Sequence, residues 1–231
     1  MGTDIMRASV SRSLQEKGQP IWQRATDHPM VREIGEGSLP HAKFQFYFSQ
    51  NILYLEDYAR ALGLIIGKAP DREAIDILSR FLEQISGEEI PANYRFFEQL
   101  GGDVSTIDAQ STMAPTTYAY TRHLLYIASQ GDCAAGLTAI LPCQWSYGEL
   151  AKPLVKQLPQ DPIYSEWIGI FGKDGYDDLV AETTGLLDRL ADPTDEAQVR
   201  QLSWIFDTST RYEVMFWDMA YEDRSDDGTP A

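Results

Sequence analysis

Hydrophobic side chains recur every three to four residues along most of the chain, which is the spacing of one face of an α-helix. The clearest case lies between Phe44 and Ile66, where aromatic and aliphatic residues dominate "FQFYFSQNILYLEDYARALGLII". Gly67 and Pro70 follow directly and are typical of a helix end. The pattern therefore predicts one long, strongly apolar helix in this part of the chain.

The same periodicity marks the rest of the chain. The further segments predicted to be helical are residues 71–102, 114–131, 133–158, 162–192 and 195–223. The first should break near Pro91, and the fourth should turn around Gly172–Gly175. No pair of strand-like segments with a hairpin turn is evident. We therefore predict one all-α domain over residues 1–231, a bundle of about seven helices, frayed over about residues 1–10 and 222–231.

Composition and charge argue against two classes of partner. Hydrophobic residues make up 43% of the 231 residues, which is typical of a globular protein. The formal net charge is −16, with 35 acidic residues against 19 basic ones and no basic run. Nucleic acids and anionic membranes attract basic side chains, so we expect neither as a partner.

The cysteines and the apolar segments predict a cytoplasmic protein. Cys133 and Cys143 fall in one predicted helix, about 15 Å apart, which is too far for a disulfide. Unpaired thiols are typical of a reducing compartment. No apolar segment near the N-terminus resembles a signal peptide, and none reaches the length of about 18 residues that a membrane span needs.

No motif predicts a metal ion or a cofactor, and we expect none. His28, His41 and His123 are scattered, and none has a glutamate three residues before it, as a di-iron bundle would require. A structural or capping role is the better interpretation of each histidine. A Gly-rich phosphate loop and a Gly-x-Ser-x-Gly elbow are also absent from the sequence.

Three polar residues within predicted helices each leave two interpretations open. Cys143 follows Pro142, which should kink the helix, and it is either an inert buried thiol or a nucleophile turned toward a cavity. Glu213 lies among aromatic residues, either at a solvent edge or in a pocket that would raise its pKa. Asn51 lies in the apolar helix and either bonds to another helix or reads a ligand.

Five segments of the chain, in order, resemble the TenA family, also called thiaminase II or aminopyrimidine aminohydrolase. They are "DHPMVREIGEGSLPHAKFQFYFSQNILYL", "APTTYAYTRHLLYIASQGD", "AILPCQWSYGELAK", "DPIYSEWIGIFGKDGY" and "TRYEVMFWDMAY". The resemblance implies an all-helical fold like that of haem oxygenase and a homotetramer. It also implies hydrolysis of 4-amino-5-aminomethyl-2-methylpyrimidine to the hydroxymethyl form and ammonia in thiamin salvage, with thiamin itself a slower or incidental substrate.

The resemblance also assigns roles to residues. Cys143 in "LPCQW" matches the nucleophile, which adds to an electron-poor carbon of the pyrimidine, and would need a lowered pKa to do so. Glu213 in "YEVMFW" matches the carboxylate that moves protons to the leaving amine and the attacking water. The aromatic positions that border the pyrimidine are matched by Tyr54, Tyr120, Tyr147 and Phe216. Tyr120 and Tyr147 are also expected to form hydrogen bonds near the cysteine.

Two positions depart from the family's usual residues. Asn51 stands where well-studied members carry Asp; its amide can pair with a neutral aminopyrimidine, as Asn pairs with adenine, but cannot stabilise a protonated ring. We therefore expect binding to survive and activity to be reduced or directed to another substrate. Phe171 stands where tyrosine is common, which removes a hydroxyl from the pocket. Two rival functions therefore stay open: a pyrimidine-binding or regulatory relative without catalysis, and a haem-oxygenase-like oxidase or oxygenase that shares only the fold.

Overall fold

The computed structural model describes residues 9–107 and 113–222, which form ten α-helices and no strand. The helices are α1 (Val10–Thr26), α2 (Pro29–Glu36), α3 (His41–Ile66), α4 (Arg72–Gln84), α5 (Ile90–Gln99), α6 (Pro115–Gln130), α7 (Cys133–Leu154), α8 (Pro162–Phe171), α9 (Asp174–Leu190) and α10 (Glu196–Glu222). A π-helical turn, Ile85–Glu89, joins α4 to α5, and a 3₁₀ turn, Val104–Thr106, follows α5. The predicted all-α class is confirmed for the described part of the chain.

The prediction of about seven helices is too low, because α1 and α2 were not expected; the two segments predicted to be interrupted each give two helices, as expected. Helix α1 escapes a periodicity reading because polar residues fill much of it and Pro20 lies inside it. Helix α2 has only eight residues, which is too short for a clear pattern. It begins with Pro29, and its end is marked by Gly37 in the left-handed conformation, with φ of 72°.

Two predicted boundaries need correction. The break expected near Pro91 is instead a π-helical turn, Ile85–Glu89, within a helical run that continues into α5, where Pro91 is the second residue. The helix predicted over residues 133–158 ends at Leu154. Of the termini predicted to be frayed, residues 1–8 and 223–231 lie outside the described residues, whereas Val10 and Glu222 belong to helices.

Helix α7 lies at the centre of the protein. It is buried along most of its length because α3, α6, α9 and α10 pack around it. Buried side chains from all ten helices form one continuous hydrophobic core. Helix α7 continues through Pro142, and Cys143 lies near its middle, within the protein interior. The kink expected at Pro142 stays a prediction. No helix in the described ranges is long and apolar enough to cross a membrane.

Glu149 connects the unexpected helix α1 to this central helix. Its two carboxylate oxygens accept hydrogen bonds from Gln15 Nε2 at 2.7 Å and from Trp22 Nε1 at 2.8 Å. Trp22 is only 2% exposed, so its indole N–H has no alternative partner in water. Glu149 therefore has a structural role in holding α1 against the core.

Substitution of Glu149 should destabilise the fold. In Glu149→Ala, the Trp22 N–H loses its acceptor inside the core, and the free energy of unfolding should fall by about 1–3 kcal/mol. The exposed Glu16, which pairs with Arg12 on its own helix, provides the control, and Glu16→Ala should cost under about 0.5 kcal/mol. Urea unfolding of both variants tests this, and equal losses would contradict the role given to Glu149.

Candidate active site

Cys143 lines a narrow internal cavity. Cys133 and Cys143 are both free, and Cys143 keeps part of its surface accessible although it lies in the middle of α7. The other residues around the cavity are Asn51, Leu55, Tyr58, Phe81, Ile85, Glu89, Gln144, Tyr147, Phe171 and Tyr176. The cavity volume of about 10 Å³ is room for about one water molecule. A six-membered ring can therefore enter only if the aromatic walls move apart.

Wider depressions lie on the described surface but are poorer candidates. Their volumes are about 540 to 740 Å³, and they are open to solvent. The one between α4 and α9 is lined by charges that already pair, such as Arg80 with Glu182 and Arg189 with Asp71. Because recognition of a small aromatic ligand favours an enclosed, mostly apolar site, the internal cavity is the better candidate.

Glu213 lies beside the Cys143 thiol, in the interior and not at a solvent edge. Only 4% of Glu213 is exposed, and its Oε1 accepts a hydrogen bond of 2.6 Å from the Tyr120 hydroxyl. Burial raises the pKa of Glu213 to about 7, an effect that the neighbouring Tyr120 hydroxyl and Cys143 thiol partly offset. Glu213 is therefore half protonated near neutral pH, as a group that both accepts and donates protons must be.

The pKa of Cys143 is raised, contrary to the lowered pKa expected for a nucleophile. Burial raises it most, and the negative charge of Glu213 adds to the rise, while the Tyr54 hydroxyl opposes it. The physical reason is that neither a cation nor a helix N-terminus offsets the loss of water around the sulfur. The resting group is a thiol, so reaction requires transfer of its proton to a nearby base.

The remaining aromatic residues of the candidate site divide into two groups. Tyr147 and Phe171 border the cavity, with ring centroids 4.9 Å apart. On the Glu213 side, the Tyr54 ring lies 4.9 Å from Tyr120 and 5.6 Å from Phe216, and these three do not line the cavity. The expected pocket is thus divided in this structure, with Cys143 between its two parts.

The two tyrosine hydroxyls expected to form hydrogen bonds near Cys143 have partners other than the thiol. The Tyr120 hydroxyl donates to Glu213, and the Tyr147 hydroxyl shares a hydrogen bond of 2.9 Å with Tyr47. The Tyr54 hydroxyl is buried and faces the Cys143 thiol, but it makes no hydrogen bond of ordinary geometry with another described residue. An unpaired buried hydroxyl is costly, so Tyr54 is available to a ligand or a proton carrier in this region.

Asn51 both bonds to another helix and lines the cavity. Its Nδ2 donates to Asn93 Oδ1 at 2.9 Å, and Asn93 Nδ2 donates to the backbone oxygen of Glu89 at 2.8 Å. A backbone oxygen can only accept, so it fixes the orientation of Asn93 and, through Asn93, that of Asn51. Asn51 therefore keeps its carbonyl oxygen free for a ligand, while one N–H is committed to α5.

Sequence reasoning did not find two polar residues of the cavity. Glu89, in the π-helical turn, is 6% exposed, and burial raises its pKa to about 7. Gln144 is buried with its Oε1 bonded to Thr183, while its Nε2 has no partner among the described residues. The signal available for Glu89 was the acidic pair in "SGEEIP", placed where glycine and proline interrupt a helical pattern.

The histidines all have structural contacts. His28 caps α2 by accepting from the Met30 N–H and bonds to Asp218 through Nε2. His41 pairs with Asp161 at 2.8 Å, and His123 Nε2 lies 3.0 Å from the Ser209 hydroxyl. Over residues 9–107 and 113–222, no three His, Cys, Asp or Glu side chains group in a way that could hold a metal ion.

Comparison with known proteins finds relatives of similar length. The TENA/THI-4/PQQC family pattern matches residues 15–223. A protein of Halalkalibacterium halodurans named aminopyrimidine aminohydrolase is 37% identical over 219 residues, 94% of this chain and 97% of that protein. A TenA homologue from P. horikoshii has a TM-score of 0.82 and 28% identity, over 94% of this chain and 100% of its own. A Shewanella denitrificans domain with a haem-oxygenase-like fold has a TM-score of 0.73 and 15% identity, over 95% of both chains.

These likenesses identify the class of protein. The fold is the all-helical, haem-oxygenase-like fold, with a free cysteine and a buried carboxyl at its centre. The chain belongs to the TENA/THI-4/PQQC family, whose pattern covers most of its length. The resemblance drawn from the sequence motifs is confirmed.

Burial of Glu213 should make the protein less stable as the pH rises. Its pKa is about 7 in the fold and near 4.5 when exposed, so the folded state favours the protonated form. Below pH 4.5 the Glu213 carboxyl is protonated in both states, and the free energy of unfolding has its full value. As the pH rises from 4.5 through 7, this free energy should fall by on the order of 3 kcal/mol because of this carboxyl.

Urea unfolding at pH 5 and pH 8 measures this loss. Glu213→Gln removes the titrating group, so its free energy of unfolding should fall less between the two pH values than that of the wild type. The exposed Glu182 serves as control, and Glu182→Gln should keep the wild-type difference. The same pH dependence in Glu213→Gln and the wild type would refute the assignment.

Proposed function

We propose that this protein is an aminopyrimidine aminohydrolase, which converts 4-amino-5-aminomethyl-2-methylpyrimidine to its hydroxymethyl form and releases ammonia. The observation that carries the proposal is the Cys143 thiol, set between a buried carboxyl and an aromatic-lined cavity. The name of the Halalkalibacterium relative, at 37% identity, supports the same reaction. Thiamin itself is proposed as a slower substrate.

The proposed mechanism begins with proton transfer from Cys143 to Glu213. Both groups are buried side by side, and the pKa of Glu213 at about 7 lets it accept the proton at neutral pH. The thiolate then adds to an electron-poor ring carbon, forming a C–S bond. Glu213 gives the proton to the side-chain amine, whose C–N bond breaks to release ammonia. Water adds to the freed methylene, passing a proton to Glu213, and the thiolate leaves the ring.

The surrounding residues position the ring in this proposal. Tyr147 and Phe171 supply faces for stacking on the cavity side, and Tyr54, Tyr120 and Phe216 supply them on the Glu213 side. The cavity is smaller than a pyrimidine, so binding opens the passage between the two parts around Cys143. The Tyr120 hydrogen bond holds Glu213 in place through this change.

The proposal also covers the cellular location and the oligomeric state. The two free cysteines support a reducing, cytoplasmic location and a role in thiamin salvage fits the proposed substrate. A homotetramer is supported by exposed large apolar side chains on the adjacent helices α6 and α10, namely Tyr118, Tyr126, Trp204 and Met215. Side chains of this kind are typical of surfaces that a partner covers.

A pyrimidine-binding relative without catalysis is the second candidate. The observation that favours it is the commitment of an Asn51 N–H to Asn93, which leaves this position with no carboxylate. An oxidase or oxygenase sharing only the fold has less support, because His28, His41 and His123 all contact other side chains outside the cavity.

Ammonia release from 4-amino-5-aminomethyl-2-methylpyrimidine separates hydrolysis from binding alone. The wild type should release ammonia, Cys143→Ala should release none above background, and Glu213→Gln should lose roughly 10²–10⁴-fold in kcat/KM. Cys133→Ala removes the other free thiol of α7 and should retain wild-type activity. A wild type that binds the compound by calorimetry but releases no ammonia would establish the second candidate instead.

Restoring an aspartate at position 51 should not increase activity. In Asn51→Asp at pH 8, a carboxylate would face the acceptor oxygen of Asn93, whose orientation the Glu89 backbone fixes. The free energy of unfolding should fall by about 1–3 kcal/mol, and kcat/KM should not rise. Urea unfolding and the ammonia assay measure both quantities; a tenfold gain in kcat/KM would show that Asn51 limits turnover.

A further inference from the structure

Glu89 is a buried carboxyl in the cavity that the mechanism above does not use. Gln84 Nε2 donates to its Oε1 at 2.7 Å, and Oε2 has no hydrogen-bond partner in the part of the chain that the structure describes. Of the residues that line the cavity there, Glu89 alone carries a carboxyl group. A charge is costly at such a place unless a partner compensates it, so a ligand is the natural partner.

The π-helical turn explains why Glu89 points inward. This turn, Ile85–Glu89, occurs within an otherwise α-helical run from α4 to α5. Its adjacent residue, Glu88, is exposed and pairs with Lys173, while Glu89 is buried. Such turns are rare and are found frequently at functional sites, because they redirect a side chain at a cost in helix geometry.

Three polar groups meet the same cavity from different helices. Asn51 on α3 offers its carbonyl oxygen, Gln144 on α7 offers an unpartnered Nε2, and Glu89 offers Oε2. Two hydrogen bonds, from Asn51 to Asn93 and from Asn93 to the Glu89 backbone, connect two of these groups to each other. The rest of the lining is aromatic or aliphatic, apart from the Cys143 thiol and the tyrosine hydroxyls. Such an arrangement fits a flat aromatic ligand with one polar edge.

We propose that Glu89 binds the amino and ring-nitrogen edge of the pyrimidine and donates its proton to that ring nitrogen when Cys143 adds. This inference rests on the function proposed above. A protonated carboxyl matches this edge, since its O–H donates to the ring nitrogen while its carbonyl oxygen accepts from the exocyclic amine. Glu89 would thus supply the acidic group that Asn51 cannot.

The proton and electron balance of the step is complete. As the C–S bond forms at the unsubstituted ring carbon, the displaced electron pair passes through the conjugated C=N bonds to the nitrogen beside the exocyclic amine, which takes the proton from Glu89. When the thiolate leaves at the end of the reaction, the C=N bond forms again and the nitrogen returns its proton to Glu89. No anion develops on the ring, which keeps the addition favourable in a site with little water.

The charges near Glu89 permit this role. Burial raises the pKa of Glu89 to about 7, the Gln84 hydrogen bond and the Lys173 charge lower it, and Glu88 raises it. The other titratable groups that line the cavity are Cys143 and Tyr147 on α7, Tyr58 on α3 and Tyr176 on α9; burial raises the pKa of each, so all four are neutral at neutral pH.

Proton-linked binding of the product tests this role. The probe is 4-amino-5-hydroxymethyl-2-methylpyrimidine, titrated by calorimetry at pH values from 6 to 9. Above pH 7 the free wild type must take up one proton to bind, so Kd should rise about tenfold per pH unit. Glu89→Gln cannot take up this proton and should show a Kd that does not change over that range. Glu88→Gln is the control and should keep the wild-type slope.

The outcomes separate this inference from the proposed function. A slope in the wild type and Glu88→Gln that is absent in Glu89→Gln supports the role, even if the wild type releases no ammonia and the hydrolase proposal fails. The same slope in Glu89→Gln, or none in the wild type, overturns it. Glu89→Asp keeps a carboxyl and should keep the slope with weaker binding, which guards against misfolding of the Gln variant. A wild type that does not bind the probe overturns both proposals.

Discussion

The hydrogen bond from the Tyr120 hydroxyl to Glu213 is the interaction on which the candidate site depends. It compensates a carboxyl that is otherwise surrounded by aromatic rings, and it joins α6 to α10 beside the central helix. The protein holds this carboxyl at a cost in stability, since burial moves its pKa to about 7. In the proposed mechanism that cost has a use, because a carboxyl with a pKa near 7 exchanges a proton with the adjacent Cys143 thiol at neutral pH.

The fold supplies the environment that makes this exchange possible. Helix α7 places the Cys143 thiol in the protein interior, where the carboxyls of Glu213 and Glu89 are also buried. Burial removes water from all three groups and raises the pKa of each. Glu213 lies beside the thiol on α10 and outside the cavity lining, whereas Glu89 lines the cavity from the π-helical turn. In the proposed mechanism Glu213 exchanges a proton with the thiol and Glu89 donates one to the ring, in a cavity that has room for about one water molecule.

Much of the architecture follows from the sequence, and the site follows only in part. The periodicity of residues 44–66 predicts α3 well, because an apolar helix buried on most sides has a strong pattern. Helix α1 was missed because polar residues fill much of it and Pro20 lies inside it, although its few apolar side chains reach the core. The sequence motifs identified Cys143 and Glu213 as candidate site residues. They could not reveal Glu89, whose position depends on a π-helical turn, or the raised pKa of Cys143, which depends on burial.

The central claim is that a pyrimidine binds at Cys143, between the two buried carboxyls. A crystal structure of the Cys143→Ser variant soaked with 4-amino-5-aminomethyl-2-methylpyrimidine tests it most directly. We expect the ring to occupy a widened cavity, with a ring carbon against residue 143, the polar edge on Asn51 and Glu89, and the aminomethyl group toward Glu213. A ring bound in one of the surface depressions, with the cavity around residue 143 still closed, would contradict the account.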